Sequence, residues 1–307
     1  MRSFLFTPAD SPKKLDRAMT SGADAVIVDL EDSIAPDGKA RARESAVAFL
    51  KEAVAAKPRP YLLVRVNGLQ TGLTDADLDA VTQAKPDAIM LPKAEGGASV
   101  IHTDAKLAVR EAISDLPDGH IKILPLATET AAALFLTGTF AGSSARLIGL
   151  TWGAEDLSAE LGAHANRDVQ GQWLDPYRLA RVLCLAGAAS AQVPAIDTVY
   201  VDFRNADGFR RECEEACRDG FLGKMAIHPS QVPIINEVFT PSAQARARAQ
   251  AIIDAFAATP GAGVVGIGGV MYDRPHLARA EQLLGRTTSA LAVAGAGDRP
   301  KGGGGGV

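Results

Sequence analysis

Two acidic segments lie where a short apolar run gives way to a helix-forming pattern. LPLATET, residues 124–130, carries Glu129 next to its end, and RLIGLTWGAEDLSAELG, residues 146–162, carries Glu155 and Asp156 soon after Gly153. A short apolar run before a glycine and a helix start reads as a buried parallel strand that delivers a loop to a catalytic face. Glu155 and Asp156 then stand beside the first free N–H groups of the next helix. Their side chains can hold a cation there, and the amides of Ala154, Glu155 and Asp156 can hold a carboxylate. Helix capping is the competing role for Asp156. On adjacent barrel strands, about 4.8 Å apart, Glu129 and Asp156 can face one point. Two carboxylates, with the other positions left to water and substrate oxygens, is how Mg²⁺ is commonly held. A proton-sharing acid pair for glycoside cleavage fits less well, because two Trp and four Tyr are few for stacking sugar rings.

Arg65 sits inside the apolar segment YLLVRVN, residues 61–67, and an arginine buried in a strand needs a partner. An ion pair with Asp29 or Asp32 of the neighbouring strand is one reading. The favoured one has its planar fork pointing into the barrel mouth, to hold a carboxylate or a developing oxyanion. His228, in IHPSQ after the last strand, reads as a packed, hydrogen-bonded turn residue rather than a base. His164 and His276 lack a metal-ligand pattern. G-x-S-x-G is absent, and no Ser-His-Asp order stands out. Cys184, Cys213 and Cys217 read as reduced thiols, because Cys213 and Cys217 have no second pair to complete a zinc site.

The elements that must position these groups alternate from the start. Strand patterns occupy residues 3–6, 24–30, 61–66, 87–91, 121–126, 147–151, 198–201 and 224–227, with helical patterns between nearly all of them. ADAVIVDLED, PDAIMLPKAE and IDTVYVDFRN echo one another, each running acid, apolar strand, then charge. Eight such units predict an α/β fold, a (β/α)₈ barrel with its reactive groups at the C-terminal strand ends. A doubly wound sheet is the alternative, but no glycine-rich dinucleotide loop follows the first strand. The barrel is expected over residues 1–240. Residues 241–286 are then a helix, the glycine-rich TPGAGVVGIGG segment at 259–269 and an amphipathic helix, together a lid or a subunit-exchange arm. Residues 287–307, small residues with a GGGGG run, are expected to be a disordered tail.

The whole chain has 307 residues, 47% hydrophobic and 22% charged, as expected of a globular enzyme. Its net charge of −4 argues against nucleic-acid binding. MRSFLFTPADSP is too short an apolar run for a signal peptide and no span approaches membrane length, so a soluble, cytoplasmic protein is expected.

SFLFTPADSPKKLDRA, GADAVIVDLEDSI, RVNG, LPKAE, ETAAA, GLTWGAEDLSAELG and AIHPSQVPIINEVFTPS, in this order from about residue 2 to residue 284, resemble the CitE-like branch of the HpcH/HpaI aldolase superfamily. That branch holds the citrate lyase β subunit, malyl-CoA lyase and citramalyl-CoA lyase. The resemblance implies a (β/α)₈ barrel that binds Mg²⁺ through Glu129 and Asp156, with Arg65 on the oxo-acid oxygens. MYDRPH is similar to a C-terminal motif whose aspartate reaches a neighbouring subunit's active site, with Tyr272 where Ile is common. It implies a catalytic Asp273 on a mobile lid, in a homotrimer or a multiple of it. The implied reaction is cleavage or formation of a 3-hydroxyacyl-CoA, such as malyl-CoA or citramalyl-CoA, with glyoxylate or pyruvate as the 2-oxo acid. Lys13, Lys14, Arg17, Lys39 and Arg43 are basic candidates for the CoA phosphates, with solvated surface charge the competing reading of each. The rivals are a citrate lyase β subunit acting on a citryl thioester with partner subunits, a pyruvate-releasing aldolase without CoA, and a barrel that only binds an oxo acid or acyl-CoA.

Overall fold

Eight parallel strands form the expected (β/α)₈ barrel in a computed structural model that describes residues 1–295. They are β1 (Ser3–Pro8), β2 (Ala25–Asp29), β3 (Tyr61–Arg65), β4 (Ala88–Leu91), β5 (Lys122–Pro125), β6 (Leu150–Thr151), β7 (Ala195–Asp197) and β8 (Gly223–Ala226). The sheet order is β5-β4-β3-β2-β1-β8-β7-β6. The parallel bridges Ile123↔Leu147 and Leu126↔Thr151 close the seam between its two edges. The helices of this unit are α1 (Pro12–Met19), α2 (Lys39–Ala53), α3 (Thr74–Thr82), α4 (Gly96–Ile113), α5 (Ala131–Leu134), α6 (Ala154–Glu160), α7 (Asp175–Ser190), α8 (Ala206–Asp219) and α9 (Val232–Val238). Local signals start several of them. Pro12 opens α1, and the Asn205 side chain accepts from Gly208 N–H at the start of α8.

Side-chain alternation sorts the strands into an inner and an outer layer. Ala25 and Ile27 of β2, Leu63 of β3, Met90 of β4 and Met225 of β8 pack together inside the barrel. Val26, Val28, Leu62 and Val64 pack outward with the helices. The inward rows of β2 and β3 continue to Asp29 and Arg65, which are register partners at the C-terminal ends of their strands. A period of two therefore places both charged groups in the mouth.

The seventh strand lies earlier than the sequence pattern suggests. It is Ala195–Asp197, and residues 198–201 form the loop after it. The decisive contact is across strands. Asp197 and Lys224 are register partners, and Lys224 Nζ lies 2.5 Å from Asp197 Oδ2 and 2.8 Å from Glu212 Oε1. A buried ammonium needs such partners, and TVYV, equally strand-like on its own, offers none.

A second compact unit begins at Thr240. In it α10 (Ala243–Ala258) starts with the Ser242 side chain accepting from Ala245 N–H. The glycine-rich segment folds as an antiparallel hairpin, β9 (Val264–Ile267) and β10 (Val270–Asp273). Gly268 and Gly269, at φ 58° and 80°, supply the two left-handed positions of its tight turn. Helix α11 (Arg274–Gly295) extends beyond the boundary expected at residue 286. Residues 296–307 of the expected tail lie outside the described residues. Ile252, Phe256, Val265 and Tyr272 make this unit's small core.

Candidate active site

A cavity of about 170 Å³ opens at the C-terminal end of the barrel, with Arg65, Glu129, Ala154, Glu155 and Asp156 in its wall. Five residues predicted from the sequence thus line one space.

Glu129 follows β5 and is 3% exposed. Its Oε2 accepts the Lys93 backbone N–H at 2.7 Å. Burial, and then the charge of Asp156, push the Glu129 carboxyl up to about 8. Gly153 explains how Glu129 lies so close to the end of β6. A Cβ at residue 153 would stand 2.8 Å from both Cγ and Oε1 of Glu129. Asp156 sits in the first turn of α6, its side chain partly exposed.

Arg65 is held by Asp29 along one edge, Nε to Oδ1 and Nη2 to Oδ2, both at 2.7 Å. This two-pronged grip leaves Nη1 as the nitrogen for other anions. Nη1 lies 2.9 Å from Glu31 Oε2 and 3.3 Å from Asp32 Oδ2. The ion pairs weighed from the sequence are present, and the guanidinium also faces the cavity. It lies 4.9 Å from the centroid of the Phe6 ring.

Lys93 and Glu31 have no role in the sequence reading. Lys93 Nζ bridges Glu31 Oε1 at 2.7 Å and Asp156 Oδ1 at 3.0 Å. Glu31 Oε2 is buried and makes no hydrogen bond, only the 2.9 Å ion-pair contact with Arg65 Nη1. Burial pushes the Glu31 carboxyl up, opposed by Arg65 and Lys93. The signal that could have found them is the repeated charge after a strand, in DLED and LPKAE.

Trp152 forms another part of the cavity wall. Its indole N–H donates to Asp197 Oδ1 at 2.8 Å, so the buried Lys224–Asp197 pair steadies the wall from behind. His228 stacks on Phe203, with ring centroids 4.7 Å apart, and its Nδ1 accepts from Ser230 N–H at 3.2 Å. It is the hydrogen-bonded turn residue that its sequence context suggests, but exposed rather than packed away.

The basic candidates separate. Lys13, Lys14 and Arg17 are exposed on α1. Lys39 instead donates from Nζ to the carbonyls of Leu30 and Glu31, at 2.8 and 2.7 Å, and so ties down the loop after β2. Arg43 pairs with Asp77 at 2.8 Å. Asp273 belongs to the second unit. Its Oδ1 contacts His276 Nδ1 and accepts His276 N–H at 3.3 Å, a reciprocal cap at the start of α11. The His276 contact draws the Asp273 carboxyl below its ordinary value.

Among the described residues, no cluster of three or more His, Cys, Asp or Glu has metal-holding geometry. The acid pair still suits a hard cation that takes one or two carboxylates and keeps its other positions for water or substrate. Glu129 is the observation in favour, a buried carboxyl destabilised by its charged neighbour. No helix among the described residues is long and apolar enough to cross a membrane.

Residues 2–229 match the family described as HpcH/HpaI aldolase/citrate lyase. The chain is 35% identical over 297 residues to a (3S)-malyl-CoA thioesterase of Cereibacter sphaeroides, covering 95% of this chain and 96% of that protein. It is 33% identical to an L-malyl-CoA/beta-methylmalyl-CoA lyase of the same species, covering 92% and 93%. The solved structure of CitE from Mycobacterium tuberculosis, in complex with magnesium, acetoacetate and coenzyme A, superposes with a TM-score of 0.75. There the identity is 32%, over 94% of this chain and 98% of that one. The motifs at the strand ends, the barrel that carries them and the extent of these matches lead to one assignment: the chain belongs to the HpcH/HpaI aldolase/citrate lyase family.

Proposed function

We propose that the chain is a cytoplasmic, Mg²⁺-dependent carbon–carbon lyase acting on a 3-hydroxyacyl-CoA whose C3 bears a carboxylate, with malyl-CoA and citramalyl-CoA as type substrates. Cleavage of the C2–C3 bond gives a 2-oxo acid, glyoxylate or pyruvate, and an acyl-CoA. The reverse reaction is a condensation. The observation that carries this reading is one cavity faced by a guanidinium, two carboxylates from neighbouring strand ends and the first-turn amides of α6.

Glu129 and Asp156 would hold the cation. When bound, it supplies Lewis-acid stabilisation to the oxygens of the 2-oxo acid. Arg65, oriented by Asp29, offers Nη1 to the same anionic oxygens. The amides of Ala154, Glu155 and Asp156 orient the substrate carboxylate. As the C3 hydroxyl gives up its proton to solvent and its electron pair forms the oxo-acid carbonyl, the C2–C3 bond breaks and its electron pair passes to the thioester enolate. Asp273, once protonated, delivers a proton to C2. In condensation Asp273 removes that proton. The Asp273 side chain is 51% exposed, which suits a group that meets substrate from a neighbouring subunit in a homotrimer or a multiple of it. Lys13 and Arg17 are exposed cations available to the CoA phosphates.

Hydrolysis of the thioester is the second reading, favoured by the 35% identity to a malyl-CoA thioesterase. A panel of acyl-CoAs with Mg²⁺, followed for glyoxylate, pyruvate, acyl-CoA and free CoA, separates the two. Oxo acid formed with equal acyl-CoA supports the lyase. Free CoA released without oxo acid identifies the thioesterase. If neither product forms from any 3-hydroxyacyl-CoA, the proposal fails.

A further inference from the structure

Lys93 touches three carboxylates at the barrel mouth through two different groups. Its Nζ lies 2.7 Å from Glu31 Oε1 and 3.0 Å from Asp156 Oδ1. Its backbone N–H donates to Glu129 Oε2 at 2.7 Å. The residue has a φ of 49°, where the Cβ crowds the following carbonyl and a lysine stays only if its surroundings hold it. This turn directs the amide to Glu129 while the side chain crosses to Glu31 and Asp156. Strain of this kind at a ring of acids has a local reason: one residue serves all three.

The charge balance gives the ammonium its importance. Asp29, Glu31, Asp32, Glu129 and Asp156 crowd this end of the barrel, and Arg65 is taken up by Asp29 along its Nε–Nη2 edge. Arg65 Nη1 also reaches Glu31, at Oε2 2.9 Å away, so Glu31 lies between two cations, and Lys93 supplies the positive charge at Glu31 Oε1 and at Asp156. Glu31 is 5% exposed, so the ammonium is held there by a carboxylate largely shielded from water. Asp156 is the looser partner, its side chain 30% exposed.

We propose that Lys93 is a positioning residue that sets the cation affinity of the acid pair: its ammonium holds Asp156 Oδ1 and must give that carboxylate up when a divalent cation loads, while its amide keeps Glu129 turned toward the site. The proposal rests on the cation reading above. An ammonium and a divalent cation repel each other when they share one carboxylate, so loading and the Lys93–Asp156 contact oppose each other. Glu31 retains the displaced ammonium, which keeps the side chain in place for the return. The Lys93 amide survives any side-chain substitution, so the two roles can be separated.

The test uses chelator-treated protein and Mn²⁺, with free cation measured by electron paramagnetic resonance. Lys93→Met and Lys93→Gln should each tighten Mn²⁺ binding at least about tenfold, roughly 1.4 kcal/mol. At about 0.5 M KCl, where long-range charge effects are largely screened, most of that gain should persist. In the wild-type protein, acetylation of Lys93 by an amine-reactive ester, read by mass spectrometry against exposed Lys14, should speed up when Mg²⁺ is added. Equal or weaker Mn²⁺ binding by both variants would overturn the proposal, as would a gain that vanishes at high salt or Lys93 labelling that slows with Mg²⁺. Absence of Mn²⁺ binding in the wild type and both variants would instead refute the cation reading itself, and the proposal with it.

Discussion

Gly153→Ala should cut activity sharply while leaving the fold nearly intact. Gly153 has φ −132° and ψ 127°, extended backbone that alanine adopts without strain. The new methyl group would stand 2.8 Å from Glu129 Cγ and Oε1 and 3.2 Å from Cδ. Carbon atoms pack best at about 3.5–4.0 Å, so Glu129 must yield by roughly 0.7 Å or more. It cannot do so freely, because it is 3% exposed and its Oε2 is tied to Lys93 N–H. Overpacking a tight site costs about 1–3 kcal/mol. The lost flexibility of glycine in the unfolded chain offsets about 0.4–1 kcal/mol of that. The net is about 0–2.6 kcal/mol, a Tm drop of at most about 10 °C for a unit of this size. A displacement near 1 Å in a catalytic constellation can cost about 100-fold in rate. Thermal unfolding and kcat/KM on the turned-over acyl-CoA measure the two effects. A folded variant with kcat/KM within about threefold of wild type would refute the claimed closeness of Gly153 and Glu129, and with it the tie between that carboxylate and the end of β6.

Three further outcomes are expected. Glu129 has a folded value of about 8 against an ordinary value of 4.5, with burial the main cause. The stability it contributes is therefore complete below about pH 4.5 and lost as pH rises through about 8. In excess chelator the wild-type Tm should fall over that window more than the Glu129→Gln Tm, and parallel curves would show that Glu129 does not titrate there. Arg65→Lys should lower kcat/KM at least about 100-fold, since a lysine cannot both grip Asp29 with two prongs and present a third nitrogen; wild-type kcat/KM would reduce Arg65 to a structural ion-pair partner. Asp273→Asn should abolish proton exchange at the thioester α-carbon with Mn²⁺ affinity unchanged, and mixing it with Glu129→Gln chains should restore part of the activity. Verified subunit mixing without recovery would mean that each chain uses its own Asp273.

The sequence by itself determined the barrel and the strand ends that carry its charges. Strands buried on both faces must be nearly continuous apolar runs, and β2, β3, β4 and β5 read that way without any partner in view. The groups at their ends follow from a period of two, which sends Asp29 and Arg65 inward, and from Gly153 beside an acidic helix start. What such patterns cannot carry is a choice between equally strand-like neighbours. Ala195–Asp197 and the residues just after it differ in what lies opposite, and only the fold brings Lys224 into register with Asp197. The glycine-rich segment is similar: its composition suggests a hinge, but pairing of Val264–Ile267 with Val270–Asp273 makes it a hairpin.

The tertiary structure also decided how the charges are shared. Lys39 and Arg43 look alike in sequence to the exposed Lys13 and Arg17, yet one holds two loop carbonyls and the other pairs with Asp77. Lys93 is an ordinary charge after a strand until folding brings it to Glu31, 62 residues away, and to Asp156 in the first turn of α6. Apolar periodicity is written along the chain, because burial is set residue by residue through the face each side chain takes. Electrostatic partnership depends on a few ångströms between groups distant in sequence, and only the closed barrel supplies those distances.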